Sequence, residues 1–189
     1  LPERPDQVIF AISDQRIEAA LDDVIALGIP ACTIFSALIL SDDSTPNLKQ
    51  RIAIKAQSAG LFIAGANGMG FYNVRDRVLA GGFDTRDHPY PGNIALISQS
   101  GAGMSGIVDC EQRIQFNFTV SSGYELTVAM EDYLDYALDL PETRVVGLFL
   151  ETSRYPEKLI QAFKKANQLN IPIVVLKVGR TDLAAELAI

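Results

Sequence analysis

Short apolar runs alternate with stretches whose apolar residues recur every three or four positions, and this rhythm persists along the whole chain. Residues 7–12 (QVIFAI) make the first run. Behind it Ile17, Ala20, Leu21, Val24 and Ile25 share one helical face, at the i, i+3, i+4, i+7, i+8 spacing. Ser13 or Asp14 can cap that helix, and Gly28 can close it. Residues 31–40 (ACTIFSALIL) predict a second strand. Pro46 starts a helix carrying Leu48, Ile52, Ala53, Ala56 and Ala59, which ends at Gly60. Residues 61–64 (LFIA) predict a third strand, running into a glycine-rich loop at 65–70.

The polar stretch 81–92 (GGFDTRDHPYPG) has glycine at both ends, two prolines and several charges, and reads as an inter-domain linker. The alternation then restarts: strand 93–97, helix from about 101, strand 115–120, helix 127–138, strand 144–150, helix 156–169, strand 172–178. Uninterrupted apolar strands such as RVVGLFL and PIVVLKV suit parallel sheets covered on both faces. The expected class is therefore α/β, in two parallel-sheet, three-layer domains. A last helix begins near Thr181, with Leu183, Leu187 and Ile189 in register. The chain opens at Leu1 almost directly into a strand and stops early in that helix, so residues are expected beyond both ends.

Composition narrows the functions. Hydrophobic residues make up 48% of the 189, enough for a sizeable core, yet no run approaches the roughly 20 apolar residues that cross a bilayer. The net charge of −7, with acids exceeding bases in both halves, argues against a nucleic-acid partner. It does not argue against an anionic ligand, because helix N-termini bind phosphate through backbone N–H groups. Cys32 and Cys110 sit in apolar contexts with no metal-ligand spacing, and read as reduced core residues of a cytoplasmic protein.

In open parallel sheets ligands gather at the carboxyl ends of the strands. The residues there are small and polar: Ser13, Ser36, the 65–70 loop (GANGMG), Ser98-Gln99-Ser100-Gly101-Ala102, Ser121-Ser122-Gly123, Glu151, and Gly179-Arg180-Thr181. The segment GNIALISQSGAGMSG is the most informative. A strand feeds SQSG and a helix starts at once with small residues, so its free N–H groups and dipole can hold an anion. A tightly packed strand-to-helix turn without a ligand would use the same residues. The glycines of the 65–70 loop suit a turn with positive φ as well as a ligand. Glu151 ends a strand and could orient a histidine or move a proton, or simply pair with Arg154. His88, the single histidine, reads as a surface-loop residue without a catalytic role, and one such histidine builds no triad and no metal site.

These residues, in this order, resemble the nucleoside-diphosphate-forming acyl-CoA synthetases, the superfamily of the succinyl-CoA synthetase α subunit and ADP-forming acetate–CoA ligase. GNIALISQSGA, RVVGLFLE and IPIVVLKVGRT resemble family segments, and GANGMG stands where the family carries a glycine-proline-asparagine-cysteine loop. The resemblance implies a CoA-binding Rossmann-like domain over 1–85, lacking its N-terminal part, and a flavodoxin-like ligase domain over 92–189, truncated at its C-terminus. It implies activation of a carboxylic acid as acyl phosphate, transfer of the acyl group to coenzyme A, and a phosphohistidine that exchanges with ATP/ADP and Mg at a separate ATP-grasp domain or subunit. An oligomer is expected. By similarity Ser100, Gly101 and Ala102 cradle the phosphoryl group, Ser98 and Gln99 belong to the same cofactor-binding turn, and Ser13, Ser36, Asn67, Gly68, Met69 and Gly70 contact CoA. Glu151 steadies the phosphohistidine, which is expected just past Ile189. The chain departs from the family at Ala66 and Gly68, which replace its proline and cysteine, and at Tyr124, which replaces an asparagine. The alternative expectation is a non-catalytic CoA-binding regulatory module, such as one fused to an acetyltransferase.

Overall fold

Two sheets organise the computed structural model, which describes residues 3–110 and 113–179. The side chain of Cys110, residues Arg180 and Thr181, and the helix expected from Thr181 lie outside the described residues.

The first sheet is parallel, in the order β1 (Gln7–Phe10), β2 (Ala31–Ile34), β3 (Phe62–Gly65). Helices α1 (Asp14–Ala26) and α2 (Leu48–Ala59) share one of its faces. Alternation along each strand sends Phe10, Cys32, Ile34 and Ile63 into the core formed with Ile17, Leu21, Leu48 and Ile52. Burial pushes the Cys32 thiol up to about 12, so it stays protonated. Helix α2 begins at Leu48, capped by Asn47, rather than at Pro46. The Asn47 side chain accepts from the Gln50 N–H while the Gln50 side chain accepts from the Asn47 N–H, a reciprocal pair that satisfies two free donors. The second strand stops at Ile34, six residues earlier than its apolar run, because Leu38 takes φ 55° and the Ile39 N–H is drawn to the Asp14 carboxylate at 2.8 Å.

The second sheet has six strands in the order β5-β4-β7-β6-β8-β9: β4 (Gly70–Asn73), β5 (Val78–Gly81), β6 (Ile94–Ser98), β7 (Phe116–Ser121), β8 (Val145–Leu150) and β9 (Ile173–Lys177). The four strands from the second half run parallel, as their continuous apolar pattern predicts. Helix α3 (Gly101–Cys110) covers one face, packing Met104 and Val108 on Leu96 and Phe116. Helices α4 (Met130–Asp139) and α5 (Pro156–Gln168) cover the other, over Ala95, Ile97, Val120, Val146 and Leu148.

Two features differ from the sequence reading. Residues 70–81, read as the tail of the first half, form an antiparallel hairpin whose strand β4 pairs with β7. The chain therefore changes sheets at 66–69, ahead of the stretch 81–92. The hairpin is inconspicuous because its turn lacks the usual Asn-Gly or Asp-Gly pair. Arg77 takes the positive φ of 55°, and Asn73 Oδ1 accepts from the Asp76 N–H at 3.1 Å.

His88 is the other. It is 1% exposed, edge-on to the Tyr72 ring at 5.5 Å, with Asp109 4.0 Å away. Stretch 81–92 thus lies against the body of the domain, pinned where Thr85 Oγ1 and the Arg86 N–H donate to Asp109 Oδ1. Asp109 stands near the far end of α3 from Gly101, about 12 Å along the axis by helical rise.

Both His88 ring nitrogens are buried without a hydrogen-bond partner. Burial, helped by Arg86, lowers its pKa below the usual value. A base whose folded-state pKa is depressed contributes stability that is present above its unfolded pKa, near 6.5, and lost as pH falls through the folded value. Thermal melts from pH 7.5 downward should therefore show Tm falling below pH about 6.5. His88→Phe, which keeps the edge contact, should flatten that part of the curve.

Candidate functional site

The carboxyl end of the second sheet is built around the turn between β6 and α3. Ser98 Oγ donates to the Ser100 carbonyl at 2.7 Å and accepts from the Ser100 N–H at 3.1 Å, which folds the SQSG turn sharply. Ser100 caps α3: its Oγ accepts from the Gly103 N–H at 3.1 Å, and its carbonyl accepts from the Met104 N–H. The N–H groups of Gly101 and Ala102 have no partner among the described residues, so they remain available at the positive end of the helix. The side chain of Ser121, from the neighbouring strand β7, ends beside them. Its Oγ is buried, lacks a partner, and lies 3.7 Å from where a Cβ on Gly101 would stand.

The 65–70 loop is docked onto the same end. The Tyr124 N–H donates to the Ala66 carbonyl at 2.7 Å and the Leu126 N–H to Gly65 at 3.2 Å. A Cβ on Gly68 would lie 2.6 Å from the Ser121 carbonyl, and one on Gly123 2.0 Å from that of Ala66. Gly70, at φ 84°, would place a Cβ 1.9 Å from the Ala80 carbonyl. The close approaches of Gly68 and Gly70 are thus to the protein's own backbone. Asn67 is exposed, and Met69 reaches across so that its Cγ lies 2.8 Å from the Cβ position of Gly101.

Glu151 follows β8 at the same edge. Arg154 is not its partner: it lies 3.3 Å from Glu125 and donates to the Tyr124 carbonyl. The Glu151 side chain is half-buried and has no partner among the described residues, while its backbone is held tightly. Gln99 Oε1 accepts from the N–H groups of Glu151 at 2.7 Å and Thr152 at 2.9 Å. Gln99 therefore bridges β6 and β8.

Two acids escaped the sequence reading as site residues, and Ser121 was placed at a strand end without a role. Ser121 is one of a run of small polar residues, and only its lack of a partner distinguishes it. Glu125 and Glu131 are 6% and 1% exposed. Their one signal is an acid set among small and apolar neighbours in SSGYELTVAME. Burial raises the Glu125 carboxyl above its usual range, against the lowering effect of hydrogen bonds from Ser122 and Gln99.

The carboxyl end of the first sheet holds Ser13 and Ser36. Ser13 stands before α1, exposed, with no capping hydrogen bond from its side chain. Ser36 joins this end to the loop, its carbonyl accepting from the Asn67 N–H at 2.9 Å. Its hydroxyl is buried without a partner, as is Asp14 Oδ1 nearby in sequence to Ser13. A cleft of about 320 Å³ lies along the segment after β2, walled by Leu38, Leu40 and Tyr124, with Lys49 4.6 Å above the Tyr124 ring.

Residues 91–189 match the family described as the succinyl-CoA ligase like flavodoxin domain. A trans-feruloyl-CoA synthase from an unknown prokaryotic organism is 28% identical over 195 residues, covering 100% of this chain and 27% of its own length. An ADP-forming acetate–CoA ligase of Methanocaldococcus jannaschii is 26% identical over 97% of this chain and 26% of its own. Among solved structures, the apo form of the dinucleotide forming acetyl-coenzyme A synthetase 1 of Ca. Korarchaeum cryptofilum aligns with a TM-score of 0.83 at 25% identity, over 100% of this chain and 41% of that one. The chain thus spans about a quarter of the length of these two curated relatives.

Docking of the loop onto the Ser121–Gly123 turn sets the geometry of this site. Gly123→Ala meets both a positive φ of 60° and the Ala66 carbonyl. It should lower the unfolding free energy by about 1–3 kcal/mol in a denaturant titration. Gly106→Ala, where nothing lies within 4 Å of the new Cβ, should be neutral or stabilising in the same titration.

Proposed function

The chain belongs to the family of the succinyl-CoA ligase like flavodoxin domain, and from that premise we propose that the whole protein is an ADP-forming acyl-CoA synthetase. It would convert a carboxylic acid, CoA and ATP into acyl-CoA, ADP and phosphate, by way of an acyl phosphate and a phosphohistidine. The observation that carries this reading is the unspent donor set at the start of α3: the N–H groups of Gly101 and Ala102 beside the orphaned, buried Ser121 hydroxyl. Relatives named as ADP-forming acetate–CoA and 4-hydroxybutyrate–CoA ligases support the same chemistry.

Phosphoryl transfer depends on holding the group in line and neutralising charge on its equatorial oxygens. The α3 N-terminus supplies donors fixed in direction, and Ser98 and Ser100 hold the turn that aims them. Gln99 sets the register of this turn against β8. The Glu151 carboxylate, with no partner among the described residues, would accept from the imidazole N–H of a phosphohistidine and fix its orientation. Ser13, Ser36, Asn67 and Met69 would contact CoA, which supplies the thiol that takes the acyl group. The buried, unpartnered Ser36 Oγ and Asp14 Oδ1 fit a polar ligand at that end. Gly68 and Gly70 would serve by letting the loop sit down. The first sheet then forms the CoA-binding part, and the second sheet, with its hairpin, the ligase part. ATP and Mg would act at an ATP-grasp domain or subunit. A Pyrococcus furiosus relative is named as a subunit alpha, which fits a separate chain and an oligomer. The free, buried Cys32 thiol fits a reducing cytoplasm.

The test is a coupled assay of the full-length protein with ATP, CoA and a panel of carboxylic acids, with phosphorylation followed using labelled ATP. Removing one donor to a charged group costs about 1.5–3 kcal/mol, so Ser121→Ala should slow phosphoryl transfer about 10–150-fold with little change in Tm. Gly101→Val, which also displaces Met69, should cost more, about 10²–10³ by analogy with oxyanion holes. His88→Phe should keep turnover. Loss of phosphorylation in the His88 variant with full activity in both others would move the site elsewhere.

A further inference from the structure

The loop that begins with Glu151 is pinned from below by buried acids. Glu131 Oε1 accepts from Ser153 Oγ at 2.6 Å and from the Tyr155 N–H at 3.3 Å. Glu125 Oε1 accepts from Gln99 Nε2 at 3.0 Å, Ser122 Oγ at 2.7 Å and the Met130 N–H at 3.1 Å, while its Oε2 lies 3.3 Å from Arg154 Nε. One side chain therefore touches the ends of β6 and β7, the start of α4 and the loop after β8. Among the described residues no group of three or more metal-ligating side chains gathers, so the acids are not explained as an ion site.

The arrangement has a direction. Gln99 Nε2 donates both to Glu125 and to the Thr152 carbonyl, at 3.0 and 2.8 Å. This forces Oε1 toward the N–H groups of Glu151 and Thr152. An ionised carboxylate can only accept, so it holds Nε2 in the sense that the backbone contacts also require; a neutral group in its place holds Nε2 more weakly, and the amide grips the Glu151 and Thr152 N–H groups less firmly. We infer that Glu125 is a positioning residue for Glu151, acting through the Gln99 amide. The inference deepens the synthetase reading and rests on it for the role of Glu151. A purely structural contact would not need the charge, whose burial is costly unless the ion is paired and hydrogen-bonded.

Ionisation then couples to position. The groups facing Glu125 are Gln99 from β6, Ser122 from β7, Glu131 and Tyr133 from α4, and Arg154 from the β8–α5 loop. Burial chiefly, with Glu131, raises its carboxyl, and the donors and Arg154 oppose that. As pH falls Glu125 takes up a proton earlier than an ordinary carboxylate, and the lock on Gln99 loosens.

The experiment uses the full-length protein with Glu125→Gln, Gln99→Ala and the double variant. Amide hydrogen exchange is the arm that does not need activity. In Glu125→Gln the Glu151 and Thr152 N–H groups should exchange at least tenfold faster, with Tm near native. In the assay kcat should fall about tenfold, the KM for CoA should hold, and the acid-side loss of kcat should shift to lower pH. The double variant should be no slower than Gln99→Ala alone, as expected for two residues in one chain of contacts. Native exchange at both amides, or losses that multiply in the double variant, would overturn the inference. If Glu125→Gln does not fold, Gln99→Ala decides: an acid-side loss unchanged from native overturns it. A native protein that ligates no acid would instead count against the synthetase reading, and the exchange arm would still decide the role of Glu125.

Discussion

The contact on which the site depends is the seating of the 65–70 loop on the turn after β7. Backbone meets backbone there, with Ala66 accepting from Tyr124 and the missing Cβ atoms of Gly68 and Gly123 leaving the room. This contact joins the first sheet to the second at their carboxyl ends. It also places Met69 over Gly101 and starts the hairpin that pairs with β7. A side chain would meet the Ser121 carbonyl at 2.6 Å from position 68, or the Ala66 carbonyl at 2.0 Å from position 123, and either would push the loop off its seat. Groups misplaced by about 1 Å can lose around 10² in rate, so the same seam that holds the fold sets the chemistry.

Within the second sheet a network of polar side chains does what apolar packing cannot. Three-layer burial fixes where the strands lie, through Ile97, Val120 and Leu148 in the core. It does not fix which way an amide or a carboxylate points at the strand ends. Gln99, Glu125 and Glu131 supply that direction, each buried group tied to backbone N–H or to another side chain. Such a network costs desolvation and returns orientation, which is what a site that must aim donors and acceptors requires.

Much of the architecture was legible because it follows from periodicity. The helices with their apolar faces and the parallel strands of the second half were readable from spacing alone, within a few residues at their ends. The 70–81 hairpin was not, since its turn uses Arg77 in place of glycine and its strands are short. The burial of His88 was hidden for a different reason. A proline-rich, charged stretch looks solvated, and only the third dimension brings Tyr72 and Asp109 against it. At the site, SQSG announced itself because a strand, a sharp turn and a helix start leave unpaired N–H groups. Glu125 did not, because its meaning lies in what surrounds it, on elements distant in sequence.

The positions where this chain departs from the family wording lie on one seam. Gly68 stands where the resemblance expects cysteine, and a Cβ there would strike the Ser121 carbonyl at 2.6 Å. A cysteine-bearing loop must therefore sit further from β7 than this one does. Tyr124 stands where asparagine is expected, one residue from Gly123, and its N–H holds the Ala66 carbonyl. Its ring faces the Lys49 ammonium along the cleft that Leu38 and Leu40 wall. The departures at 68 and 124 therefore lie where the loop meets the turn after β7 and at the wall of the cleft, with Met69 of the same loop over Gly101. Variation at this seam is thus placed to alter both what fits beside the loop and how Met69 lies over the α3 start.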